Sequence, residues 1–231
     1  MKILAIDTSA VTATVCVADE NKTLGEISYT TALTHSQTIM PMIDELLKGL
    51  NLTIKDIDAF ACSNGPGSFT GLRIGIGTIK GLAFGADKEV VGVSTLEALS
   101  YNVPFSDYII SPIMDARRNQ VYNAFYRFED GKMKCIKEPR AISIEDLALE
   151  ITEKTVFVGD GVLPYKEKLT ELLGDKALFA PANLCLQRAS SVAMAAFDKE
   201  TVHPRELTAI YLRKSQAERE LEEKTKKGLI L

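Results

Sequence analysis

The chain of 231 residues has no tryptophan, two histidines and four cysteines. Cys16, Cys62, Cys135 and Cys185 show no C-x-x-C spacing, and with so few histidines a zinc site is not expected. Cys16 and Cys62 lie in strand-like apolar runs and read as core thiols. An excess of positive charge is missing as well: 27 Lys and Arg stand against 31 Asp and Glu, a net charge of −4. Strong independent binding to nucleic acid is therefore not expected, because phosphate contacts dominate such affinity. Local clusters such as Arg117-Arg118, or Lys224 with Lys226-Lys227, stay open. No apolar run is long enough to span a bilayer, and Asp7 interrupts the first one too early for a secretory leader. The expectation is a cytoplasmic protein with no membrane contact. Two phosphate-binding signatures, G-x-x-x-x-G-K-[ST] and G-x-G-x-x-G, are absent too.

What the chain does have is glycine, concentrated in one place. Between Ser63 and Gly85 stand Gly65, Gly67, Gly71, Gly75, Gly77, Gly81 and Gly85. A strand-like run, Ile57 to Cys62, precedes them, and Leu72, Ile76, Ile79 and Ala83 recur at helical spacing after the first of them. The stretch reads as strand, glycine loop, helix, with Ser68 or Thr70 as cap. Pro66 and the flanking glycines let the loop backbone approach another group closely. Inside the helix each glycine costs about 1 kcal/mol against alanine, so something must offset Gly75, Gly77 and Gly81. At about 100° per residue, Leu72, Gly75, Ile76, Ile79 and Ala83 share one face, the expected core. Arg73, Ile74, Gly77, Lys80, Gly81 and Phe84 share the other. A solvated face would carry polar helix formers; small residues four apart instead allow another backbone to approach. This face is expected to meet another helix, in this chain or in a partner.

The remaining elements are predicted in order. Lys2–Ile6 is a short strand ending in the turn Asp7-Thr8-Ser9. Val11–Ala18 alternates as a second strand, and Gly25–Thr30 is a third. Thr34 and Gln37 fit a capping box for a helix burying Ile39, Ile43, Leu46 and Leu50, which Pro41 is expected to kink or restart. Met40, Met42 and Leu47 widen its apolar face, a second hint of a partner surface. Glu89–Val93 is a strand, and Ser94-Thr95 begins a helix to Tyr101. The order then repeats, although the residues do not. Strand Tyr108–Met114, turn Asp115–Asn119, strand Val121–Phe128 and a strand near Lys134–Lys137 come first. A helix from Ser143 to about Thr152, strand Val156–Val158, turn Gly159-Asp160-Gly161, a helix to Leu173 and another over Ala189–Asp198 follow. The fold class is therefore α/β: two ribonuclease H-like lobes of the actin/Hsp70 (ASKHA) kind, each a mixed sheet flanked by helices. The lobes are placed at residues 1–100 and 101–231. Ser215–Lys227 reads as a solvated terminal helix, and Gly228-Leu229-Ile230-Leu231 is an apolar tail without an assigned place.

The run Asn64 to Gly75, NGPGSFTGLRIG, resembles the signature of the TsaB (YeaZ) family, the non-catalytic subunits of the bacterial tRNA threonylcarbamoyladenosine machinery. Shorter matches lie at Ile6–Ser9, His35-Ser36 with Pro41, Met114–Arg118 with Val121-Tyr122, and Tyr211–Arg213, spanning nearly the whole chain. The resemblance implies a scaffold with no catalytic activity alone. Such a scaffold pairs with the metal-binding paralogue TsaD and recruits the ATPase TsaE. The complex transfers a threonylcarbamoyl group to N6 of the adenosine beside the anticodon in ANN-reading tRNAs. ATP and metal belong to those partners, tRNA is reached through the complex, and the same surface forms a homodimer when the partner is absent. The expected interface is Arg73, Ile74, Gly77, Lys80, Gly81 and Phe84 with Met40, Met42 and Leu47.

A degenerate nucleotide pocket is the second candidate site: Asp7, Thr8, Ser9, Asp115, Arg117, Gly159 and Gly161. In actin-like folds the first turn touches phosphates, but Asp7 can equally bond its own backbone. The second lobe opens with Asp115-Ala116-Arg117 where an ATPase would show Asp-x-Gly, and Gly159-Asp160-Gly161 reads as an adenosine-side loop or a simple turn. The metal-binding paralogue uses two histidines four apart; here His35 is followed four residues on by Ile39. His35 reads instead as a helix-start hydrogen-bonding residue and His203 as an exposed loop residue. A free-standing ATP-dependent phosphotransferase is the alternative function. A hydrolase using Ser68 or Thr70 is a weaker one, since only His35 could serve as its base.

Overall fold

The computed structural model describes residues 1–104 and 106–213. The helix expected over Ser215–Lys227, with its lysines, and the tail Gly228–Leu231 lie outside the described residues.

Two five-stranded sheets share one topology. In the first, β1 (Lys2–Asp7), β2 (Thr12–Asp19), β3 (Thr23–Thr30), β4 (Ala59–Gly65) and β5 (Glu89–Ser94) lie in the order β3-β2-β1-β4-β5. In the second, β6 (Ile109–Asp115), β7 (Gln120–Glu129), β8 (Lys132–Ser143), β9 (Thr155–Val158) and β10 (Ala177–Phe179) lie in the order β10-β9-β6-β7-β8. Each opens with an antiparallel meander and adds two parallel strands on the other side of its first strand. The repeat expected from element order is thus a repeat of strand pairing.

Helices cover both faces, as parallel strands require. Leu4 and Ile6 of β1, with Val15 and Val17 of β2, pack under α1 (His35–Gly49) and α2 (Phe69–Ala86). Ile3, Ala5, Cys16 and Ala18, one residue out of phase, face the opposite way. There they meet α7 (Ala189–Phe197) and Ala98 of α3 (Thr95–Ser100). Small side chains line this seam on both sides, Ala5, Ala61, Ala193 and Ala196 among them, so helix and sheet approach closely. Leu96 and Leu99 of α3 turn to the second sheet, whose far face packs under α4 (Ile144–Glu150) and α5 (Val162–Leu173). The layers run α1/α2, first sheet, α7/α3, second sheet, α4/α5. A short helix, α6 (Ala182–Cys185), precedes α7. The latter follows the second sheet in sequence yet docks on the first, where Glu26 of β3 accepts from Ser190 N at 2.8 Å and from Arg188 Nη2 at 2.7 Å.

Local signals set several boundaries. Gln37 Oε1 accepts from Thr34 N at 3.2 Å, closing the start of α1. Ser68 Oγ accepts from Gly71 N at 3.2 Å and caps α2, and Ser143 Oγ accepts from Asp146 N at 3.0 Å and caps α4. α1 does not restart at Pro41 but runs unbroken through it. That residue is exposed, so the pyrrolidine ring sits on the solvent side of the helix.

Candidate functional site

The glycines of α2 divide into two groups. The first serves the turn after β1. A Cβ on Gly67 would lie 2.5 Å from the Ser9 carbonyl oxygen, one on Gly71 2.0 Å from that of Thr8, and one on Gly75 2.4 Å from Thr8 Oγ1. These gaps are below any real Cβ contact, so only glycine lets the helix start press on the turn. Thr8 Oγ1 donates to the Gly71 carbonyl at 2.8 Å and Ser68 N to the Ser9 carbonyl at 2.7 Å, tying the two together. The second group, Gly77, Gly81 and Gly85, meets nothing within 4 Å. These three are exposed, beside Arg73 and Phe84, and Phe84 is 49% exposed. Among the described residues nothing in the fold calls for glycine there.

The face is bordered rather than covered. Ile74 and Lys80 are half-buried at its edges. A strap, residues 203–213, follows the bridge of Val202 to Val90 of β5 and runs alongside α2. His203 packs edge-on against Phe84, and Ile210 N donates to the Asn64 carbonyl at 2.7 Å. Tyr211 stacks on Phe69 with ring centroids 4.3 Å apart and accepts from Arg73 Nε at 3.2 Å. On α1 the expected partner surface needs correction. Met42 and Leu47 are buried, 1% and 8% exposed, in the core cluster with Ile76, Ile79 and Ala83. The wide apolar stripe of α1 is used up between the sheet and α2, because this helix fills the corner between them. Met40, 47% exposed, stays on the surface.

Between the lobes lies a cleft of about 820 Å³. Ser9, Ser68 and Thr70 line one wall, and Asp115, Arg117, Asp160 and Gln187 line the other. Asp7 is buried behind the first wall, 1% exposed. Its Oδ1 accepts from Ser9 N at 2.8 Å and Ser9 Oγ at 2.6 Å, its Oδ2 from Ser63 Oγ at 2.5 Å. Burial pushes its pKa up, against those hydrogen bonds. Asp7 is therefore the turn-former, its carboxylate spent on its own backbone and neighbours, and Thr8 is spent on Gly71. Gly159 and Gly161 do not line the cleft; a Cβ on either would strike the Ile113 carbonyl oxygen, at 2.3 Å and 2.9 Å. They let the loop after β9 cross the end of β6. Arg117 does not fill the cleft: its side chain is 86% exposed and pairs with Asp115 at 3.3 Å. Of the seven residues expected to form a nucleotide pocket, Ser9, Asp115 and Arg117 are brought to the cleft.

Residues 22–227 match the family model described as "TsaD: tRNA N6-adenosine threonylcarbamoyltransferase". The chain is 33% identical over 221 residues to the tRNA threonylcarbamoyladenosine biosynthesis protein TsaB of Bacillus subtilis, covering 94% of this chain and 96% of that protein. It is 31% identical to TsaB of Haemophilus influenzae, covering 92% of this chain and 94% of that protein. The chain belongs to the TsaB family. YeaZ from Pseudomonas aeruginosa, 27% identical, superposes with a TM-score of 0.78 over 91% of this chain and 99% of that one. EutJ from Carboxydothermus hydrogenoformans, at 14% identity and a TM-score of 0.52, shares the two-lobed actin-like fold.

As a TsaB-family chain it keeps one histidine where the helix begins. His35 Nε2 lies 2.6 Å from the Ala10 carbonyl oxygen and holds the 8–11 turn against α1. With Ser68 and Thr70 it lines a hollow of about 240 Å³, so the expected hydrolase residues do share a pocket. Its ring nitrogen is nevertheless bonded to a main-chain carbonyl, while Ser68 Oγ caps α2. Sequence reasoning missed the strap, the Glu26 clamp on α7, and the Asp160–Gln187 pair. Gln187 Nε2 donates to Asp160 Oδ1 at 3.0 Å. Burial, opposed by that bond and reinforced by Asp115, pushes Asp160 up to about 6. Membership of the TsaB family places the chain in tRNA threonylcarbamoyladenosine biosynthesis. Among the described residues no helix is long and apolar enough to cross a membrane.

Proposed function

We propose that this chain is the non-catalytic scaffold of a tRNA threonylcarbamoyl transferase, pairing with a TsaD-type catalytic paralogue through the outward glycine face of α2. The observation that carries the reading is the open space among the described residues at Gly77 and Gly81, on an exposed face that also carries Arg73, Lys80 and Phe84. Two glycines one turn apart let a partner helix approach at backbone distance, which alanine or larger would prevent. The paralogue holds the metal and performs the transfer to N6 of the adenosine next to the anticodon. A TsaE-type ATPase is recruited to the pair, and ATP is used there. Alone, the chain closes the same face on a second copy of itself. The work is cytoplasmic. A free-standing phosphotransferase is disfavoured because the Asp7 carboxyl is buried, does not line the cleft and accepts from Ser9 and Ser63.

Light scattering on size-exclusion eluates tests the proposal, with the chain alone, the chain mixed with the catalytic paralogue, and Gly77→Trp in parallel. A dimer that gives way to a hetero-complex, with a folded variant forming neither, is the expected result. Pairing retained by Gly77→Trp overturns the placement.

A further inference from the structure

The turn between β6 and β7 is held in a conformation that its residues do not favour. Arg117, Arg118 and Asn119 have φ of 63°, 58° and 57°, three consecutive residues in the left-handed region. Glycine, and to a lesser degree asparagine, sits there without strain; arginine does not. Hairpin turns of this hand ordinarily use Asn-Gly or Gly-Gly for that reason. The two arginines contribute little to the fold. The Arg117 side chain is 86% exposed, and Arg118 is exposed. Strained residues of this kind are characteristic of binding sites, where position matters more than comfort.

The turn is joined to a third guanidinium, on a strap that also carries an exposed aromatic ring. Arg213 Nη1 donates to the Ala116 carbonyl oxygen at 2.8 Å, at the base of the turn. Two residues earlier in the strap, Tyr211 is 39% exposed, propped on Phe69 and steadied by Arg73. Asp115, paired with Arg117, offsets one of these charges. The strip remains positive, in a chain whose net charge is −4.

We propose that this strip is an RNA-binding surface. Arg117 and Arg118 take successive phosphates of a looped RNA, and Tyr211 offers its ring to an unstacked base. The inference rests on the proposed role in tRNA modification and deepens it: this chain touches the substrate directly. Guanidinium forks match phosphate oxygens two at a time, and loops, unlike duplexes, present bases free to stack on an aromatic side chain. An acidic protein surface would also pair with the arginines but gives no use to the exposed ring two residues from Arg213.

The test uses the chain assembled with its catalytic paralogue and ATPase, and a fluorescent, unmodified ANN-reading tRNA transcript titrated at several salt concentrations. R117Q/R118Q is expected to weaken tRNA binding by roughly tenfold or more. It should also flatten the slope of log K against log[salt] by about 1 to 2, close to one for each phosphate left without its arginine. R117G/R118G should lose the same affinity while melting higher, since glycine removes the strain. Unchanged affinity and slope in a complex that still forms overturn the inference. So does loss of the ATPase with tRNA affinity intact, which would assign the turn to a protein partner. Light scattering before RNA is added tests assembly separately. Should assembly fail, the same titration on the chain alone decides the strip by the same criterion.

Discussion

Replacing Gly77 and Gly81 by alanine should make the isolated chain more stable and its pairing weaker. Neither position has a positive φ, and a Cβ at either meets nothing within 4 Å. In the monomer the substitution therefore recovers the full helix-propensity difference, about 1 kcal/mol per site. For a chain of this length 1 kcal/mol moves Tm by about 2–4 °C, so the double variant should melt roughly 4–8 °C higher. The measurement is a thermal melt at a concentration low enough to keep the chain monomeric. In the complex the same two methyls occupy the space a partner backbone needs, and the paralogue should bind at least about tenfold more weakly, read by titration calorimetry. A lower Tm would mean that the glycines serve the monomer. A higher Tm with undiminished pairing would mean that the open face is not the interface. Either result refutes the argument.

On the same helix Gly71→Ala should act in the opposite sense, destabilising the monomer by about 3 kcal/mol or more in urea denaturation, because its Cβ would fall 2.0 Å from the Thr8 carbonyl oxygen. Burial pushes Asp160 up to about 6 from its ordinary 3.8, so the neutral carboxyl is accommodated below about pH 4 and its ionisation costs the folded chain stability as pH rises through 6. Asp160→Asn should accordingly gain on the order of 2 kcal/mol at pH 7.5 and nothing at pH 4, measured by melts at both. Glu26→Ala should cost about 2–3 kcal/mol and loosen α7 first in hydrogen exchange, since Glu26 accepts from both Arg188 and the start of that helix.

The fold could be read from periodicity because both sheets are half-repeats built on alternation. Ile3 and Ala5 face one way and Leu4 and Ile6 the other, and the same order of strands and helices recurs after residue 100. Helical phase likewise placed Leu72, Ile76 and Ile79 inside and Gly77, Gly81 and Phe84 outside. Phase could not say how much of a wide stripe the core consumes. Met42 and Leu47 looked surplus on α1 because the second wall of their corner, α2, is a separate element. Nor could any local pattern foresee contacts made across the chain. Ala189 N reaches Thr14 Oγ1 at 3.3 Å, and Ile210 N reaches the Asn64 carbonyl at 2.7 Å. The reason for Gly71 and Gly75 was hidden in the same way, since it lies in the backbone and side chain of Thr8, more than sixty residues earlier in the chain.

That division within α2 bears on the scaffold role proposed for this actin-like fold. In the first turns of the helix, glycine is required so that the turn after β1 can sit directly on the helix start. The turn is then locked by its own hydrogen bonds, with Asp7 closed against Ser9 and Ser63 rather than presented to the cleft. Further along, glycine is required by nothing among the described residues, and the helix bears the cost of Gly77 and Gly81 in the free state. On the proposed pairing, that cost is offset when a partner helix meets the open face at backbone distance. The inward closure of Asp7 and the outward opening of the glycine face are thus two consequences of one helix. Its start holds the turn after β1 in place, and its middle keeps open the surface proposed to meet another chain.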